Sequence, residues 1–230
     1  MKKYSYLLFD ADETLFDFKK AEYEAFHLTC DKVSVPFSDE LYSVYSKIND
    51  DLWKLLEKGG TTLAALKLER FRQFLVYLGL PKEEVTEKAP LMRDNYVEFL
   101  ADQSFLMEGA VEVCRELSEK YALYIITNGI SKIQRKRFNA SPLMEYITDL
   151  FISEEIGVAK PSPEYFDYVM EKIGDSDKEQ YLVIGDSLTS DMKGAVNYGI
   201  DSCFMNPKGV STELPVTYTV KKLSELCDFL

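Results

Sequence analysis

Two textures of apolar and polar positions alternate along this 230-residue chain. Short apolar runs stand at YSYLLF (4–9), ALYIIT (122–127), DLFIS (149–153), YLVIG (181–185) and SCFMN (202–206). Their length and near-continuous hydrophobicity predict strands buried on both faces. Helix-like segments lie between them: GAVEVCRELSEKY, SKIQRKRFNA, SPEYFDYVMEKIG and SDMKGAVNYG. In the third, Ser162 followed by Pro163 suits an N-cap and a first helical position. From 17 to 103 the pattern is helical throughout. Leu41, Tyr45, Ile48, Leu52 and Leu55 fall three and four apart, as do Leu68, Phe71, Leu75 and Leu78, which predicts one apolar face per helix. Gly59-Gly60 marks the turn between these helices, and Gly79 with Pro81 a stop.

Apolar strands alternating with helices imply an α/β fold, a doubly wound parallel sheet covered on both faces. The all-helical block separates the first strand from the others. The expected organisation is therefore a Rossmann-like core formed by 1–16 and 104–230, with 17–103 inserted after strand one as a helical cap.

Composition narrows the chemistry. The hydrophobic share of 46% is that of an ordinary globular protein. A formal net charge of −12 argues against a nucleic-acid polymer as partner, but leaves room for a small anion held by local positive charge. The apolar run after Met1 is too short for a signal-peptide core or a membrane span, so a cytoplasmic protein is expected. Cys30, Cys114, Cys203 and Cys227 are scattered, which predicts free thiols rather than a disulfide framework or zinc site. His27 is the single histidine and sits in a helical pattern with no nucleophile elbow nearby; an ordinary helix-surface or packing role is expected. Carboxylates and lysine must then carry any catalysis.

In open parallel sheets ligands bind at the carboxyl ends of the strands. The distinctive polar residues fall there: Asp10 and Asp12 after the first strand, then Thr127, Asn128 and Gly129 after the second. Lys160 follows the third, and Asp186 and Asp191 follow the fourth. Each set comes from a different part of the chain, yet all should meet at one rim. Acids crowded at a strand end repel one another; a divalent cation and an incoming phosphate would make the crowding useful.

These residues spell DADET, TNG, AKP and GDSLTSD, in that order. Together they resemble the four motifs of the haloacid dehalogenase superfamily of phosphohydrolases, and the helical block sits where that family places its first type of cap. The resemblance implies that Asp10 attacks phosphorus to give an aspartyl-phosphate, splitting hydrolysis into two steps. Asp12 would be the general acid and base. Mg²⁺ would be held by Asp10, the Asp12 backbone carbonyl and Asp186. Thr127, Asn128 and Lys160 would hold phosphate, through the Thr127 hydroxyl, nearby backbone N–H groups and a fixed positive charge. Asp191 would steady a metal-bound water or Lys160, or else cap the following helix. Members that cleave carbon–halogen bonds lack an acid at the position of Asp12, so its presence favours phosphate esters. Glu13 departs from the Gly that many members carry; it either orients the loop or faces solvent.

FDADETLF together with ISEEIGVAKP looks most like the noncanonical pyrimidine nucleotidases, which implies nucleoside 5′-monophosphates as substrates. Tyr23, Phe26, Tyr42, Tyr45 and Trp53 are candidate surfaces for stacking a base. The basic run 131–137 reads as a solvated helix face, or as a source of attraction toward the pocket. Cap opening and closing would exclude water. Two other functions stand beside this one: a phosphatase or phosphomutase of the same superfamily acting on a sugar phosphate, and a non-catalytic phosphoacceptor switch. Asp12 and the large insertion weigh against the switch.

Overall fold

The computed structural model describes residues 3–230. The chain divides into two compact units, Lys19–Gln103 and the remainder, which joins the segment up to Phe18 to Ser104–Leu230. In the second of these the strands are β1 (Tyr6–Phe9), β2 (Ala122–Thr127), β3 (Ile147–Ile152), β4 (Tyr181–Gly185), β5 (Asp201–Met205) and β6 (Tyr218–Val220). The Lys19–Gln103 unit carries α1 (Phe18–Val33), α2 (Asp39–Glu57), α3 (Leu63–Tyr77) and α4 (Lys82–Ala101). The sheet unit adds α5 (Ala110–Ser118), α6 (Ser131–Asn139), α7 (Ser153–Ile156), α8 (Pro163–Ile173) and α9 (Lys193–Tyr198).

The sheet is wholly parallel, in the order β3-β2-β1-β4-β5-β6. Side-chain alternation along each strand feeds two cores. Leu7, Phe9, Leu123, Ile125, Leu182 and Ile184 pack on one face with α5 and Phe138 of α6. Leu8, Ile126, Val183 and Phe204 pack on the other with Tyr165, Phe166 and Val169 of α8. Both faces are covered by apolar side chains, which is why these strands read as unbroken apolar runs. The chain leaves β1 toward β2 on one side and returns to it through β4 on the other. The carboxyl ends of β1 and β4 therefore flank a topological switch point, where such sheets bind ligands.

Three expectations need correction here. Ser153 opens α7 instead of closing β3, because Glu154 and Glu155 favour a helical first turn. A sixth strand, Tyr218–Val220, pairs with β5; at three residues it is too short for a periodic signal. The segment before α9 opens with a π-helical turn at Leu188–Met192, in which the Met192 N–H reaches back five residues to the Ser187 carbonyl at 3.0 Å.

Within Lys19–Gln103 the four helices enclose an aromatic core. Phe26 and Tyr45 stack at 4.0 Å with planes 9° apart, and Phe71, Phe74 and Tyr96 surround them. Both are fully buried, so neither offers a surface to a base. Tyr23, Tyr42 and Trp53 keep partial exposure. Leu55, expected on the apolar face of α2, is exposed, whereas Asn49 between its neighbours is buried. Asn49 is there because Glu22 is: Glu22 accepts hydrogen bonds from Asn49 (2.7 Å), Ser46 (2.9 Å), Tyr42 (3.0 Å) and Lys19 (3.3 Å). Asn49 in turn accepts from the buried Arg70 at 3.2 Å. His27 is a helix-surface residue, stacked on Phe37 and paired with Asp31. All four cysteines are free thiols. Among the described residues no helix is long and apolar enough to cross a membrane.

Candidate active site

The rim of the sheet gathers residues from four strand ends. Register explains their meeting: Phe9 lies opposite Ile125 on one side and Ile184 on the other, so the chain leaves β1, β2 and β4 at nearly one level. Asp10 begins where β1 stops, its N–H still bonded to the Ile184 carbonyl at 2.8 Å.

Lys160 is the centre of the arrangement. It is 1% exposed, and its ammonium donates to Asp10 Oδ1 (2.7 Å), Asp191 Oδ1 (2.6 Å) and the Ile126 carbonyl (2.7 Å). All three protons are used, so it is a fixed charge. Its backbone is fixed as well. Asn128 donates from Nδ2 to the Lys160 carbonyl (2.8 Å) and accepts the Lys160 N–H at Oδ1 (2.9 Å). The Asn128 side chain is thus spent on the main chain of the lysine; any hold it has on phosphate is through its backbone.

Asp191 accepts Lys160 at one oxygen and the Ser187 N–H (3.1 Å) at the other. Capping of the turn falls to Ser187, whose Oγ accepts the Ser190 N–H at 3.1 Å. Of the two roles expected for Asp191, the structure shows the grip on Lys160. Gly185 makes room for it, since a Cβ there would lie 2.3 Å from Asp191 Oδ2.

Asp10, Asp186 and Asp191 each present a carboxylate oxygen, all within 4.8 Å of one another. Burial pushes the Asp10 carboxyl well above the usual carboxylate range; Lys160 opposes the rise, while Asp191, Asp186 and Asp12 add to it. Burial likewise raises Asp186 to about 7, with Asp191 and Glu13 reinforcing it and Lys160 resisting. Burial would lower Lys160, but Asp10 and Asp191 outweigh it and hold the ammonium above its ordinary value. One ammonium against three carboxylates leaves the trio short of positive charge. An all-oxygen donor set of this kind fits a hard divalent cation such as Mg²⁺.

The carboxylate of Asp12 stands apart from the trio. Its Oδ1 accepts from Arg137 Nη1 and its Oδ2 from Gln134 Nε2, each at 2.6 Å. Thr127 Oγ1 accepts from the Gly129 N–H (3.0 Å) and from Gln134 (3.3 Å). With both lone pairs occupied, its proton is the part left to give. Glu13 takes a left-handed backbone, φ +60°, in the turn that returns Phe16 to Ala11. Glycine would adopt that conformation without strain.

Arg137 and Gln134 were not expected in this role. The basic run 131–137 is no solvated face at Arg137, which is fully buried with its guanidinium 4.3 Å from the Phe16 ring centre. Ile133, Gln134, Arg137 and Phe138 form the buried stripe of α6. The signal lay in phase: Arg137 shares a helical face with Ile133 and Phe138, and Lys132 and Lys136 do not.

The family model for haloacid dehalogenase-like hydrolases matches residues 4–199. The HAD-hydrolase YfnB of Bacillus subtilis is 38% identical over all of this chain and 97% of its own. A magnesium-bound crystal structure of YfnB superimposes with a TM-score of 0.91 at 37% identity, over 99% of this chain and 98% of that one. The pyrimidine 5′-nucleotidase YjjG of Escherichia coli is 32% identical, covering 97% of this chain and 96% of its own. The pyrimidine 5′-nucleotidase PynA of Streptococcus pneumoniae is 34% identical, covering 99% and 95%.

Proposed function

Because the chain belongs to the haloacid dehalogenase-like hydrolases, we propose that it is a magnesium-dependent phosphomonoesterase working through an aspartyl-phosphate, with pyrimidine nucleoside 5′-monophosphates as substrates. The observation that carries the chemistry is the buried junction of Lys160 with Asp10 and Asp191, beside Asp186. Three separate sequence segments supply it, and burying so many ionisable groups is costly unless they act together.

Asp10 and Asp186, with the Asp12 carbonyl, would hold Mg²⁺, which supplies charge neutralisation between carboxylate and phosphate. In the first half-reaction an Asp10 oxygen forms a bond to phosphorus as the ester P–O bond breaks, and Asp12 gives its proton to the leaving oxygen. In the second, Asp12 takes a proton from water while the water oxygen attacks phosphorus and Asp10 is released. Lys160 stabilises charge on the phosphoryl group, and the Thr127 hydroxyl donates to one of its oxygens. The two nucleotidase relatives, aligned over nearly their whole length, support the nucleoside monophosphate assignment. A cytoplasmic pool of small phosphorylated metabolites, with no membrane and no nucleic-acid polymer, is the expected setting.

Steady-state kinetics over UMP, dTMP, purine monophosphates and sugar phosphates tests the substrate. Sugar phosphates turned over far faster than UMP or dTMP would overturn the nucleotidase assignment. Asp10→Asn, or chelation of magnesium, is expected to abolish turnover, and substantial activity in either condition would overturn the mechanism. A single phosphorylation that persists, without sustained phosphate release, would identify a switch.

A further inference from the structure

The grip of α6 on Asp12 is more elaborate than packing requires. Arg137 and Gln134 each take one oxygen of a carboxylate that keeps a 27% exposed side chain at the rim. Arg137 is completely buried, and its Nε and Nη2 have no hydrogen-bond partner among the described residues. Gln134 Oε1 is orphaned in the same way. A helix that needed only to pack could place Leu or Met at both positions and avoid three unsatisfied polar atoms. The neighbouring loop is shaped to suit them too, since a Cβ at Gly129 would lie 2.3 Å from Gln134 Nε2. The Phe16 ring under the guanidinium, itself edge-on to Phe138 at 4.8 Å, fixes the plane of the arginine.

We propose that Arg137 and Gln134 are positioning residues that aim the Asp12 carboxylate at the leaving-group oxygen, and that Gln134 links this aim to phosphate held at Thr127. The proposal rests on the phosphohydrolase reading given above. Two donors on two oxygens fix the carboxylate plane and leave each oxygen one free lone pair, where the travelling proton is carried. From there it passes to the ester oxygen as the P–O bond breaks and the Asp10–phosphorus bond forms. Gln134 Nε2 is shared between Asp12 and Thr127, so the group that orients the acid also orients the hydroxyl that meets the phosphate.

Aiming a proton donor matters in proportion to how badly the leaving group needs the proton. Arg137→Met and, separately, Gln134→Leu are to be compared with the wild type on an alkyl phosphate such as UMP and on p-nitrophenyl phosphate, whose leaving group departs unaided. The readout is kcat/KM, which reports the first half-reaction. Each variant is expected to lose about 100-fold on the alkyl ester and less than about 5-fold on the aryl ester. Arg137→Lys should recover part of the alkyl-ester loss. In an Asp12→Asn background, Arg137→Met should cost less than about 3-fold more, because the residue it serves is already gone. Equal losses on the two esters, or full additivity with Asp12→Asn, would overturn the proposal by marking the contact as packing. Should Arg137→Met fail to fold, the Gln134→Leu comparison decides alone. A wild-type protein that hydrolyses neither ester overturns the underlying reading; an active one whose variants lose both esters alike overturns only the positioning role.

Discussion

Lys160→Met replaces the buried ammonium by an apolar side chain of similar length, and the loss can be worked out from its three bonds. Two go to carboxylates, at 2.7 and 2.6 Å, and one to a carbonyl at 2.7 Å. All three have an ionised donor, and charge-assisted bonds are worth about 1.5–3 kcal/mol each, a gross loss of roughly 5–9 kcal/mol. Methionine refills the apolar volume, and carboxylate protonation relieves part of the remainder. The net expectation is about 3–5 kcal/mol, typical of a buried ion pair that loses one partner. In a chain of this size that lowers the melting temperature by about 6–20 °C.

The pH dependence of this deficit is the more searching test. In the wild type the Lys160 pKa is raised, so its stabilisation is complete below the unfolded value and constant between pH 5 and 8. In the variant, Asp10 loses the ammonium that opposes its burial-driven rise and takes up a proton more readily as pH falls. The deficit should therefore be larger at pH 8 than at pH 5. Thermal unfolding in chelator at both values measures it. A deficit under about 1 kcal/mol, or one equal at the two pH values, would refute the reasoning that the ammonium opposes the burial-driven rise of Asp10.

Three further outcomes follow from the same geometry. Metal-free protein should lose stability as pH rises from about 4 to 8. Asp186 is raised from 3.8 to about 7, so the folded chain holds a proton there that the unfolded chain has given up. Magnesium should reverse that trend, and metal-free melts no lower at pH 8 than at pH 5 would contradict it. Gly185→Ala forces a Cβ to 2.3 Å from Asp191 Oδ2; a loss of about 1–3 kcal/mol in urea titration is expected, with turnover falling as Asp191 is pushed from Lys160. Glu13→Gly removes a strained left-handed residue and should stabilise by about 0.5–1 kcal/mol; a loss instead would show that the Glu13 side chain contributes to the turn.

Much of this arrangement can be read in the amino-acid order. The five longer strands show because each is buried on both faces, and the rim residues show because motif spacing carries them to strand ends. What escapes is whatever depends on helical phase or on a distant partner. Arg137 and Lys136 are adjacent and chemically alike, yet one is fully buried and the other is exposed. Phe26 and Tyr45 look like recognition surfaces until their mutual stacking places them in a core. Asn49 interrupts an apolar seam for the sake of Glu22, a helix away. Asn128 sits in a recognisable motif, but its side chain faces the peptide groups of Lys160.

That last contact limits how the segment can vary. Asn128 reads an amide and a carbonyl, groups every residue shares, and ignores the side chains on either side of Lys160. Point changes at Ala159 or Ser162 leave those two bonds untouched, while one inserted or deleted residue between Gly157 and Lys160 shifts the lysine out of reach of both Asp10 and Asp191. Around Lys160 itself the loop is constrained in length more than in its flanking side chains, so mutational drift there will show as substitution without indels.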